Sequence, residues 1–177
     1  FMRQAGRSLP EYREIRLGTT MLESCLNPDL VFEITMQPVR RHHTDAAILF
    51  SDIVIPLKLA GIDVEIVAGV GPVIKDPIRT TQALARLKPI TPESLEPIRL
   101  AVQKLVAELG STPLIGFGGA PFTLASYLFE GGPSKDLPKS RAIMHGDSDL
   151  WNSVLGWCAE ITAEFIRAQV LAGASAL

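Results

Sequence analysis

Ala46-Ala47-Ile48-Leu49-Phe50-Ser51-Asp52 is an unbroken apolar run that ends in a carboxylate. A strand with one wet face alternates apolar and polar residues. A continuous run instead fits a strand covered on both faces, as in a parallel sheet flanked by helices. Asp52 then emerges at the carboxyl end of that strand, at the mouth of the sheet. The position also suits a plainer role, since an aspartate before a helix often caps its first amides.

Beyond Asp52, Val64 to Val67 and Val70 to Ile74 read as a short hairpin or two loop strands, punctuated by Gly71-Pro72. A helix is expected from Thr91-Pro92-Glu93 or from Pro97, since an interior proline removes a hydrogen bond. Leu95, Ile98, Val102, Leu105 and Leu109 recur at helical spacing, and Gly110 follows as a stop. Pro113 to Phe117 reads as a second buried strand running into Gly118-Gly119-Ala120-Pro121, with a helix over 122–130. Asp147, Ser148 and Asp149 are candidate caps for a long helix with Trp151, Val154, Leu155, Cys158, Ile161 and Phe165 on one face. Gly173 ends it, and Ala174 to Leu177 opens one more strand. This alternation of strands and helices implies parallel βα units, which pattern alone does not resolve into a barrel or a doubly wound sheet.

Before the run lies Phe1-Met-Arg-Gln-Ala-Gly-Arg-Ser-Leu-Pro-Glu-Tyr-Arg-Glu-Ile-Arg16, with Arg3, Arg7, Arg13 and Arg16 against Glu11 and Glu14. One helical turn, or a tight loop at Gly6, sets Arg3 and Arg7 on one side of the chain. A guanidinium grips a carboxylate through two parallel charge-assisted hydrogen bonds, so the pair suits a polycarboxylate or a phosphate. The competing expectation is a solvated surface on which Glu11 and Glu14 pair with Arg7 or Arg13 at helical spacing.

Composition narrows the classes. The 177 residues are 47% hydrophobic and 20% charged, those of an ordinary globular chain able to bury a core. A net charge of -2 argues against general attraction to nucleic acid. Cys25 and Cys158 have no CxxC or His-rich spacing, so neither a disulfide framework nor a zinc site is expected. No run of about 18 apolar residues occurs and Phe1 starts no leader-like segment, so no membrane partner and a cytoplasmic location are expected.

Phe-Met-Arg-Gln-Ala-Gly-Arg-x-Leu-Pro-Glu-Tyr-Arg resembles the N-terminal signature of the uroporphyrinogen decarboxylase family. Phe50-Ser51-Asp52-Ile53, Gly118 to Leu124 and Ser126 to Gly132 match that family in the same order. Ser8 departs from it, where the family has tyrosine, which touches a packing contact and neither arginine. The resemblance implies a (β/α)8 barrel, and the chain, 1–177, is expected to be one domain forming its N-terminal portion without the later βα units. A closed barrel takes about 250 residues. An open portion would expose strand edges and apolar surface.

For chemistry, the resemblance implies a lyase of porphyrin and heme biosynthesis. It removes the four acetate carboxyls of uroporphyrinogen III to give coproporphyrinogen III. Asp52 would face the pyrrole N–H groups, and Arg3 and Arg7 would meet the acidic arms. Substrate contacts fall to Arg3, Gln4, Ala5, Gly6, Arg7, Asp52 and Tyr127. No cofactor and no metal are expected, since the protonated tetrapyrrole itself takes up the electrons released. A homodimer is implied for the full-length form.

Without the resemblance, Tyr127 is a core tyrosine with one polar end. Gly116-Phe-Gly-Gly119 departs from GxGxxG at its sixth position and lacks an acidic residue about 20 positions on, so no nucleotide site is assigned. Its glycines are expected where the backbone passes close to a ligand or turns sharply. Adjacent His42 and His43 point in different directions on a helix and suit a surface rather than a metal. Two rivals stay open: a zinc-dependent, cobalamin-linked methyltransferase of the same barrel superfamily, and an inactive anion-binding fragment.

Overall fold

The structure is a computed structural model in which residues 5–177 are described. After a 3-10 helix at Ala5–Ser8, the order is α1 (Pro10–Ile15), α2 (Met21–Leu26), α3 (Pro28–His42), β1 (Ala47–Ile48), α4 (Ile55–Leu59), β2 (Val64–Val67) and β3 (Gly71–Ile74). A 3-10 helix at Thr81–Arg86 follows, then α5 (Glu96–Leu109), β4 (Leu114–Ile115), α6 (Pro121–Glu130), α7 (Pro138–Gly146) and α8 (Ser148–Leu171). The chain divides into two compact units: Phe1–Asp52, Pro92–Gly118 and Phe165–Leu177 form one, and Ile53–Thr91 with Gly119–Glu164 the other.

In the first unit β1 and β4 pair in parallel, Ala47 against Leu114 and Ile48 against Ile115. The ladder continues at Leu49, whose amide donates to Ile115 O at 2.9 Å. A parallel bridge from Ile115 to Ala176 adds the next strand position, where the sequence pattern expects one to open. These strands are shorter than the apolar runs that announce them. Helices α3 and α5 cover the sheet through Val31, Met36, Ala101, Val102, Leu105 and Leu109, packed with Ala47, Leu49 and Leu114. Each large side chain fully buried there is worth about 1.5–3 kcal/mol.

Helix α5 starts at Glu96 with Pro97 in its first turn, the later of the two expected starts, because that turn needs no N–H from proline. Its stop, Gly110, has φ +57. Helix α2 is only six residues long and is fixed by a capping box. Thr20 Oγ1 accepts the Glu23 amide at 3.2 Å, while Glu23 Oε2 accepts the Thr20 amide at 2.8 Å. Asn27 caps α3 by accepting the amides of Asp29 and Leu30 at 3.0 and 3.2 Å.

The second unit holds the hairpin, β2 and β3 pairing antiparallel with Val64 opposite Ile74. Lys75 bridges Asp63 and Glu65 at its base, at 3.3 and 2.9 Å. The Ile74 amide donates to Gly131 O and the Ile78 amide to Leu128 O, both at 2.9 Å, tying the hairpin to the end of α6. Asp147 Oδ1 accepts the Leu150 amide at 3.0 Å and so caps α8. Trp151, Val154, Cys158 and Ile161 are buried along that helix, and in the first unit Phe165 continues the stripe.

Candidate active site

Burial alternates along the run 47–52. Ala47, Leu49 and Ser51 are buried, while Ile48, Phe50 and Asp52 are half-buried. With the two-residue period of extended chain, Asp52 shares a face with Ile48 and Phe50. Thr35 Oγ1 on α3 accepts the Phe50 amide at 3.0 Å and holds the strand exit against the helix. Beside Asp52, the buried Ser51 hydroxyl has no hydrogen-bond partner among the described residues.

The arginine segment reaches the same strand end through aromatic contacts. The Tyr12 and Phe50 rings meet edge to face with centroids 6.1 Å apart, and Arg16 Cζ lies 6.0 Å from the Tyr12 centroid. Arg16 Nη1 donates to Thr20 O at 2.6 Å and also to Ser24 Oγ. Arg7 lies on the exposed side of the first 3-10 helix, in which Gly6 is buried against Pro38 of α3. Arg3 and Gln4 lie outside the described residues, and for Ala5 only the backbone is described.

Cys25 reports how these charges gather. Burial pushes its thiol up to about 12; the Asp52 carboxylate pushes the same way, and the Arg16 and Arg7 guanidiniums pull it back. One buried point thus lies within electrostatic reach of Asp52, Arg16 and Arg7. A carboxylate at a parallel strand's carboxyl end can stabilise positive charge in a ligand, and guanidiniums within electrostatic reach of the same region can hold acidic arms.

Several side chains sit elsewhere than the spacing suggested. Glu11 pairs neither with Arg7 nor with Arg13; both its oxygens accept from Arg41, at 2.9 and 3.2 Å. Main-chain hydrogen bonding and Arg41 hold its carboxyl below the usual range. His42 and His43 are exposed at the end of α3, where His43 turns left-handed with φ 50. Among the described residues no group of three or more His, Cys, Asp or Glu is placed to hold a metal ion. No helix among them is long and apolar enough to cross a membrane.

The glycine run is crowded by the chain itself. A Cβ at Gly116 would meet Gln169 Oε1 at 2.6 Å, and one at Gly119 would meet Ile53 O at 2.8 Å. The buried Gln169 carboxamide brackets Phe117, accepting its amide at 2.8 Å and donating to its carbonyl at 2.9 Å. In the second unit Tyr127 lines a concavity of 230 Å³ with Phe122, Thr123, Ser126, Ser134 and Leu137. Arg16 is the residue that sequence spacing left unassigned; its signal was the Thr20-x-x-Glu23 capping box, which fixes the helix that anchors it.

Parallel strands joined through helices, with a carboxylate at one strand's carboxyl end, are the units of a (β/α)8 barrel, and the family match and structural likeness make the chain an incomplete portion of one. More narrowly, the chain belongs to the uroporphyrinogen decarboxylase family: residues 1–177 match the family described as Uroporphyrinogen decarboxylase (URO-D). It is 62% identical over 177 residues to uroporphyrinogen decarboxylase of Rhodococcus opacus, covering 100% of this chain and 50% of that protein. Against the Streptomyces avermitilis enzyme of the same name identity is 61%, again over 100% of this chain and 50% of the relative. The chain thus spans about half the length of the curated relatives it matches. Among solved structures, a methyltransferase from Methanosarcina mazei superposes with a TM-score of 0.68 at 17% identity, covering 91% of this chain and 48% of that one. That likeness concerns the fold alone.

Proposed function

We propose that the protein carrying this chain decarboxylates the four acetate side chains of uroporphyrinogen III to give coproporphyrinogen III, as an enzyme of porphyrin and heme biosynthesis. The observation that carries this function is the match of residues 1–177 to the decarboxylase family, with Asp52 at the carboxyl end of the first parallel strand.

The chemistry needs little else. Protonating a pyrrole carbon next to an acetate arm makes the ring cationic. The bond to the carboxylate carbon then breaks, its electron pair passes into the ring, and carbon dioxide leaves. A proton delivered to the exposed methylene completes the methyl group, and the ring returns the first proton. Asp52 would lie against the ring nitrogens and stabilise the cation, most strongly where water is excluded. Arg3, Arg7 and Arg16 would hold the carboxylate arms. Arginine has a pKa above about 12, so its role is positioning rather than proton donation.

Gln4, Ala5 and Gly6 join the substrate contacts as part of the arginine motif, and Tyr127 through its phenol; both assignments rest on the resemblance. The same resemblance supports a cytoplasmic homodimer at full length that uses no cofactor. The test is carbon dioxide release and porphyrin products from uroporphyrinogen, assayed with the protein at the length of its relatives and with the 177-residue chain alone. Turnover by the longer form supports the proposal, and its absence there removes it. Zinc at stoichiometric level in that inactive protein would favour the methyltransferase alternative. Turnover confined to the longer form would make the chain by itself an anion-binding portion.

A further inference from the structure

Arg16 is held from one side only. Its Nη1 carries two hydrogens, and both are spent, on Thr20 O and on Ser24 Oγ. The direction of these bonds is fixed by chemistry. A guanidinium accepts nothing, so Ser24 Oγ accepts from Arg16, and the serine's own proton goes to Thr20 O at 2.9 Å. Thr19 Oγ1 lies 3.1 Å from Ser24 Oγ and 3.3 Å from Arg16 O, closing the cluster. Ser24 is fully buried, and the capping box fixes the first turn of its helix. The opposite edge of Arg16, Nε and Nη2, has no protein acceptor among the described residues. Arg40, Arg41, Arg86 and Arg99 each face a carboxylate instead.

That open edge presents two parallel N–H groups, the geometry that matches both oxygens of one carboxylate. We propose that Ser24 is a positioning residue that locks the Arg16 guanidinium with its Nε/Nη2 edge open to a carboxylate arm of the ligand. The proposal rests on the function given above, in which Arg16 meets such an arm. A free arginine must give up rotamer freedom on binding, whereas one tethered at Nη1 and laid over Tyr12 has already lost it. Ser24 thereby favours binding over any later chemical step.

The test compares steady-state carbon dioxide release from uroporphyrinogen by the protein at the length of its relatives and by four variants. Ser24→Ala is expected to raise KM about tenfold with a much smaller change in kcat, the size of one misoriented charge-assisted contact. Ser24→Thr keeps the hydroxyl and restores KM. Ser24→Cys keeps the packing with a weak acceptor and raises KM, which covers the case in which the alanine variant fails to fold. Arg16→Ala raises KM, and adding Ser24→Ala to it changes nothing further, because the serine acts through the arginine. Two results overturn the proposal and leave the function standing: additive Ser24→Ala and Arg16→Ala effects, or a Ser24→Cys KM equal to that of the unaltered protein. Absence of turnover in the unaltered protein removes the function itself, and the proposal with it.

Discussion

Arg16 in the first unit and Arg79 in the second illustrate opposite uses of the same side chain. Arg79 spends its Nε and Nη2 on the carbonyls of Phe129 and Glu130, both at 3.0 Å, and so satisfies the last turn of α6. Arg16 spends Nη1 on Thr20 and Ser24 and keeps the Nε/Nη2 edge open. The edge consumed by the fold decides whether an arginine is part of the scaffold or available to a ligand. Sequence spacing does not show which edge that is.

The contrast can be broken at its centre first. Asp52→Asn keeps the shape and removes the negative charge at the carboxyl end of the strand. It should lower kcat for carbon dioxide release by about a thousandfold, the scale of losing a preorganised electrostatic partner. An unchanged kcat would dissolve the site. Next, Arg79→Ala should cost about 1–2 kcal/mol in urea unfolding, by leaving the Phe129 carbonyl without this donor and the Glu130 carbonyl with only the longer bond from Lys139, with KM unaffected. A KM change there would erase the distinction between the two arginines. An effect no larger than that in free energy is expected for Arg16→Lys, which retains charge without the fork and should raise KM about tenfold, as Ser24→Ala does, with little loss of stability.

The mildest effect concerns Cys25 and Cys158, both pushed by burial from an ordinary 9.0 up to about 12. At neutral pH both states hold their thiol protons, and nothing changes. Between pH about 9 and 12 the unfolded chain releases protons that the folded chain keeps, so stability falls as pH rises. Urea titrations from pH 7 to pH 10 should show that decline beginning at the alkaline end. Alkylation at pH 8 should be slow until denaturant is added. Rapid native alkylation of Cys25 alone would show that the first unit is open at the point where its charges meet.

Much of this was legible along the chain. The apolar run 46–51 announced β1, the spacing from Leu95 to Leu109 announced α5, and Val64 to Ile74 announced the hairpin, because buried faces impose their period on sequence. Strand lengths were overestimated: β1 is two residues, since continuous apolar character measures coverage and not ladder hydrogen bonds. Pairings between distant side chains were beyond reach. Glu11 has arginines at helical spacing, yet it pairs with Arg41, which the packing of α1 on α3 brings to it.

By itself, then, the sequence determined which segments bury themselves, where the helices stop, and that a carboxylate follows the first parallel strand. These are local consequences of hydrophobic period and backbone preference. Only the tertiary structure decided that Gly116 and Gly119 make room for Gln169 and Ile53, and that Arg16 is anchored at one edge and open at the other. Those outcomes depend on the direction of individual donors and acceptors brought together by packing, and neither composition nor spacing encodes direction.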